Sequence, residues 1–155
     1  MRKTIWKSLL DAELNVRYWK KLVRRYTKYD QFIKIFLAAI SSGAVAGWSF
    51  WGDYPWAWKI LSSLSALVAI ALPTLNFPKQ IESMSLLSSK WFELKIEYDE
   101  QWRKLEDGSE IRQIESAYNR TKKQEAILVL KETKLPHDEQ LLRQCFNEVK
   151  QSYGI

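Results

Sequence analysis

The sequence predicts an all-α membrane protein, a two-helix transmembrane hairpin joined to a cytoplasmic helical bundle. Three observations predict it. Two charge-free runs, Ile35 to Trp51 and Ile60 to Phe77, lie close together. The link between them falls in Trp48-Ser-Phe-Trp-Gly-Asp-Tyr-Pro-Trp-Ala-Trp58, where aromatic rings crowd a Gly52-Asp53 turn signal. The basic excess precedes the first run: residues 1–34 hold ten Lys/Arg against three acids, in a chain whose total net charge is +6.

Each run is long enough for a span. About 20 helical residues at 1.5 Å rise cross a hydrocarbon core of about 30 Å. The short link forces a hairpin, with its rings at the far interface. The positive-inside rule then puts both termini in the cytoplasm. The expected organisation is 1–31, a basic amphipathic helix; 32–77, the hairpin; and 78–155, a helical region. A competing reading is a buried helical hairpin in a soluble all-α domain. Ser41, Ser42, Ser62, Ser63, Ser65 and Asn76 are polar for a span, and mean hydropathy is −0.33. A cleaved signal peptide is not expected, because some thirty mostly polar residues precede the first run.

The first segment, Ile5 to Tyr29, is amphipathic. Ile5, Leu9, Ala12, Val16, Trp19, Leu22 or Val23, Tyr26 and Tyr29 recur by threes and fours. Arg24, Arg25 and Lys28 suit the inner interface, and Trp51, Tyr54, Trp56 and Trp58 the outer one. Lipid accounts for the basic arm, so no nucleic acid is expected. Lys34 and Lys59 sit at the expected boundaries, where their ammonium groups reach water.

Within the first run, Gly43-Ala-Val-Ala-Gly47 is a G-x-x-x-G, which lets a second helix approach closely. Ser42 and Ser49 on the first run, and Ser62, Ser65 and Asn76 on the second, form small polar stripes. Such stripes either pack helices through hydrogen bonds or line a wettable pore, which makes these five residues the candidate pore lining. Pro73 predicts a kink, read as simple bending or as a hinge.

Beyond the runs, Pro78 suits the first position of a helix. Ile81, Met84, Trp91, Leu94, Tyr98, Trp102 and Leu105 form its stripe up to the Asp107-Gly108 stop. Ser109 is the expected cap of the next helix, which carries Ile111, Ile114, Tyr118 and Thr121 on one side and Ile127-Leu-Val-Leu130 near its end. Leu135-Pro136 breaks it. A last helix follows, apolar at Leu141, Leu142, Cys145, Phe146, Val149 and Tyr153.

No catalytic or metal constellation emerges, and no cofactor is expected. His137 is a lone histidine at a helix start, and Cys145 lies on an apolar stripe. No phosphate-cradling glycine motif occurs, and Asn119-Arg-Thr121 is a chance-level glycosylation pattern. The expected protein is not an enzyme. The wide apolar stripes and the two spans point to a homo-oligomer.

The layout resembles the SLATT family, two-span bacterial proteins associated with SMODS and SLOG second-messenger conflict systems. The resemblance covers most of residues 5–106. It rests on Trp19-Lys-Lys-Leu-Val-Arg-Arg-Tyr-Thr-Lys-Tyr29, on Gly43 and Gly47 within a span, and on the helix through Trp91, Tyr98 and Trp102. The tail from Ser109 onward has no counterpart in it. The resemblance implies an oligomeric effector of antiphage defence at the bacterial inner membrane. A sensor, or a partner that makes a nucleotide signal, would trigger it to open a pore and drive abortive infection. The alternatives are a non-conducting membrane adaptor that docks a cytoplasmic partner, and a holin-like lysis protein.

Overall fold

Helix boundaries follow the stops and starts that the chain supplies. The computed structural model describes residues 1–41 and 55–154, with the backbone alone at 40, 41, 55, 57–58 and 72–75. Five α-helices cover the described residues: α1 Arg2–Ser41, α2 Pro55–Leu75, α3 Phe77–Glu106, α4 Ile111–Glu132 and α5 Glu139–Tyr153. The described residues contain no strand.

α3 ends at the expected signal. Gly108 takes φ +77°, and Ser109 N–H donates to the Lys104 carbonyl at 3.0 Å, the outer bond of a Schellman closure. This corrects the expected start of α4. Glu110, whose carbonyl accepts from the Gln113 and Ile114 N–H groups at 3.1 and 3.3 Å, is the N-cap, and its side chain makes no capping bond. α5 is capped at both ends. Asp138 accepts the Leu141 N–H at 2.9 Å, and Gly154 closes the far end at φ +67°.

Asn76 joins α2 to α3 at φ +44°, a region that asparagine tolerates better than most side chains. Its carbonyl accepts from the N–H groups of Lys79 and Gln80 at 3.1 and 3.2 Å. α3 therefore starts at Phe77, and Pro78, expected to open the helix, stands at its second position. There its missing N–H is still no loss. α2 continues past Pro73 to Leu75.

The chain divides into two units, Met1–Val23 with Glu82–Ile155, and Arg24–Ile81. In the first unit, the three-and-four spacing of the opening segment becomes a buried stripe of Ile5, Leu9, Ala12, Trp19 and Leu22. α3 adds Met84, Leu87, Trp91, Leu94 and Tyr98, α4 adds Ile114 and Leu128, and α5 adds Leu141, Cys145 and Val149. Each large apolar side chain so buried contributes about 1.5–3 kcal/mol. Trp102 is only half-buried and Phe146 is exposed, although both lie on expected stripes.

In the second unit, Asp30 and Lys34 pair at 2.6 Å, so Lys34 has an acid partner one turn away. The Tyr26 ring meets Tyr29 and Phe77 edge-on, with centroids 6.5 and 6.0 Å apart.

The predicted transmembrane hairpin is overturned here. Among the described residues, no helix is long and apolar enough to cross a membrane. The all-helical part of the prediction holds for those residues. The membrane-protein class does not, nor does the multi-pass position in a bacterial inner membrane. The pore-forming defence effector expected from those spans has no described membrane helix to rest on. Of the first run, residues 35–41 lie in α1 and the rest lies outside the described residues. The physical reason on the second run is its composition. α2 mixes Lys59, Ser62, Ser63, Ser65 and Pro73 into its apolar residues.

Candidate functional site

α4 has two stripes, and they do different things. Ile114, Thr121 and Leu128 recur every seven residues and are buried. Tyr118, Glu125 and Glu132 stand four residues after each of these, on the same inward side. The two carboxylates are matched by donors from the other helices and from α4 itself. Trp19 and Trp91 both donate indole N–H groups to Glu132 Oε1, at 2.9 and 2.5 Å. Tyr98 donates its hydroxyl to Glu125 at 2.5 Å, and Lys122 reaches the same carboxylate at 2.8 Å. Gln101 donates to Thr121 Oγ1 at 2.9 Å, and Thr121 donates to Glu97 at 2.7 Å.

Burial pushes the Glu132 carboxyl above its ordinary range, and the two indole donors and His137 pull it partly back. Burial and the Glu125 carboxylate push the Tyr98 hydroxyl far up, so it stays protonated and donates. Glu13 goes the other way. Burial opposes its charge, but bonds from Lys95 at 2.5 Å and Arg17 at 2.6 Å hold it below the usual carboxylate range.

The second stripe of α4 faces outward. Ile127, Leu130, Lys131 and, past the helix end, Lys134 keep helical spacing. Four consecutive apolar residues cannot share one face, so only Leu128 of the run Ile127 to Leu130 is buried, at 7% exposure. Opposite it, α3 presents Ser83, Leu86, Leu87 and Lys90. Between the two stripes lies a groove of about 670 Å³. Its floor is Leu87 and Leu128. Leu86, Ile127 and Leu130 wall it and remain 59, 57 and 69% exposed. Leu135 lies at the end of the groove beyond α4, in a connection that Tyr18 holds by accepting the Asp138 N–H at 2.8 Å.

The residues singled out in the sequence do not converge on a site. Gly43, Gly47, Ser42, Ser49, Trp51 and Tyr54 lie outside the described residues, as does the Trp58 side chain. Trp56 is exposed on α2, and Arg24, Arg25 and Lys28 are exposed on α1. Ser62 and Ser65 are half-buried on α2, where the Ser65 hydroxyl donates to the Leu61 carbonyl at 3.0 Å. Asn76 is a helix junction residue, not a member of a helical stripe. His137 lies beside Tyr18, with Nδ1 3.5 Å from the hydroxyl, and Cys145 is buried with its thiol pushed up by burial. Among the described residues, no three His, Cys, Asp or Glu side chains gather in a way that could hold a metal ion.

The groove was missed because Leu86 lies off the expected stripe of α3 and the run Ile127 to Leu130 was not assigned a face. The signal available was the width of the Ile127 to Leu130 run against the narrow seven-residue repeat beneath it. Comparison with known proteins adds no relative: no family model matches the chain, and neither does any curated protein or any solved structure. The SLATT resemblance therefore rests on layout and composition alone.

Proposed function

We propose that this chain is a non-enzymatic docking module whose helical bundle receives a partner protein in the groove between α3 and α4. One observation carries the reading: Leu86, Ile127 and Leu130 stand exposed together over a buried apolar floor. Covering such side chains contributes about 1.5–3 kcal/mol each when burial is complete. Three of them offset the lower part of the association cost and support a transient complex. The interior polar groups support a role without chemistry. Glu132, Glu125 and Glu13 are each held by two donors of the fold, which leaves them poorly placed to take a substrate proton. A sensor, as the SLATT resemblance suggests, is the kind of partner such a module would serve.

The test is a photocrosslinking side chain placed at Leu130 and, as control, at exposed Glu115 on α4. The chain is then co-expressed with the products of its flanking genes. An adduct with one product at Leu130 and none at Glu115 supports docking through the groove. Adducts at both positions, or at neither, sink it.

A further inference from the structure

The groove also has a charge, and the charge selects its occupant. Three lysines rim it: Lys90, Lys131 and Lys134. Lys90 is neutralised by Glu93 at 2.6 Å. Lys131 and Lys134 make no ion pair among the described residues, and both are exposed. The nearest acid along the chain, Glu132, is turned inward onto the two indoles. An apolar trough therefore carries an uncompensated positive edge on its α4 side.

We infer that the occupant is an amphipathic helix of a partner protein with acidic residues flanking its apolar stripe. This rests on the docking reading above. The walls suit a helix. On α3 the groove follows Ser83, Leu86, Leu87 and Lys90, and on α4 and its exit Ile127, Leu130, Lys131 and Lys134, each about two turns long or about 10 Å. An incoming helix presents anchors at i, i+3 or i+4 and i+7 over that same length. An extended peptide would need a sheet edge to pair with, and the described residues offer none. A second copy of this chain is disfavoured. Through the same groove it would bring a rim of lysines and no acid, since Lys90, Lys131 and Lys134 are the charged residues of the lining. Acidic flanks on the partner instead bring opposite charge to that edge, which acts mainly on encounter rate and choice of partner.

The probe is a pair of short fluorescent helical peptides with identical leucine anchors, one flanked by Glu and one by Lys. Anisotropy is read on the full chain, on Leu130→Glu and on the double variant Lys131→Glu/Lys134→Glu. The expected result is binding of the acidic peptide about tenfold tighter than the basic one, with a preference that shrinks as salt rises. The double variant should reverse the preference, and Leu130→Glu should abolish binding of both. Equal binding of the two peptides that Leu130→Glu still abolishes overturns the charge inference and leaves the docking groove standing. Binding that survives Leu130→Glu lies elsewhere and overturns both. No binding of either peptide overturns the inference. So does tight, Leu130→Glu-sensitive binding of laurate alone, which would make the groove an amphiphile site.

Discussion

Trp91 donates its indole N–H to Glu132 Oε1 at 2.5 Å, tying the middle of α3 to the last turn of α4. Trp19 of α1 donates to the same oxygen at 2.9 Å, so one carboxylate fastens three helices. The pairing lets two large rings be buried without orphaning either N–H.

The Glu132 carboxyl is raised above its ordinary value of 4.5, chiefly by burial. The native state therefore holds the proton more tightly than the unfolded chain. Its contribution to stability is complete below that ordinary value and is lost as pH rises through the raised one. Glu132→Gln keeps an acceptor for the indoles and removes the titration. Relative to wild type, the Gln variant should become progressively more stable as pH rises from 4 to 7, read from urea midpoints. A pH-independent difference would contradict the raised carboxyl. Glu132→Leu should instead cost about 1–3 kcal/mol for each orphaned donor.

Glu13 provides the opposite sign. Its carboxyl is lowered by Lys95 and Arg17 despite the burial that opposes its charge. Its stabilisation is present above the ordinary value of 4.5 and is lost as pH falls through the lowered one. Glu13→Gln should cost about 1–2 kcal/mol at pH 7 and progressively less towards pH 3. Denaturant titrations across that range check it, and a cost that grows in acid would refute the assignment.

The two stripes of α4 predict a contrast between near neighbours. Leu128→Ala removes a floor residue and should cost about 2–3 kcal/mol. Leu130→Ala removes an exposed one and should change stability by less than about 0.5 kcal/mol. Thermal or urea unfolding decides it. Equal losses would mean that Leu130 is part of the core.

Helical content was legible because its signals are local. Three-and-four spacing from Ile5 to Leu22, the Asp107-Gly108 stop and the break at Leu135-Pro136 each act within a turn or two. The buried role of Cys145 followed from the same spacing. The membrane hairpin failed because the length of a charge-free run outweighed the polar residues within it. The serines Ser62, Ser63 and Ser65 were visible and counted for the competing soluble hairpin, but the length of the charge-free run was given more weight than they were. The groove and the indole-bound carboxylate were hidden for another reason. Trp19, Trp91 and Glu132 are far apart in sequence, and nothing in their spacing says that they meet.

The closure of α3 has a consequence for handedness. Gly108 sits at φ +77°, and a Cβ built on it meets nothing within 4 Å. What an L residue loses there is purely backbone strain, since space is available. A D residue has the mirror-image backbone preference, so the positive φ itself would cost it no such strain, and it would narrow the freedom of the unfolded chain. At this one turn, the geometry of the protein favours the enantiomer that the ribosome does not use. Glycine is the closest that a genetically encoded chain comes to it.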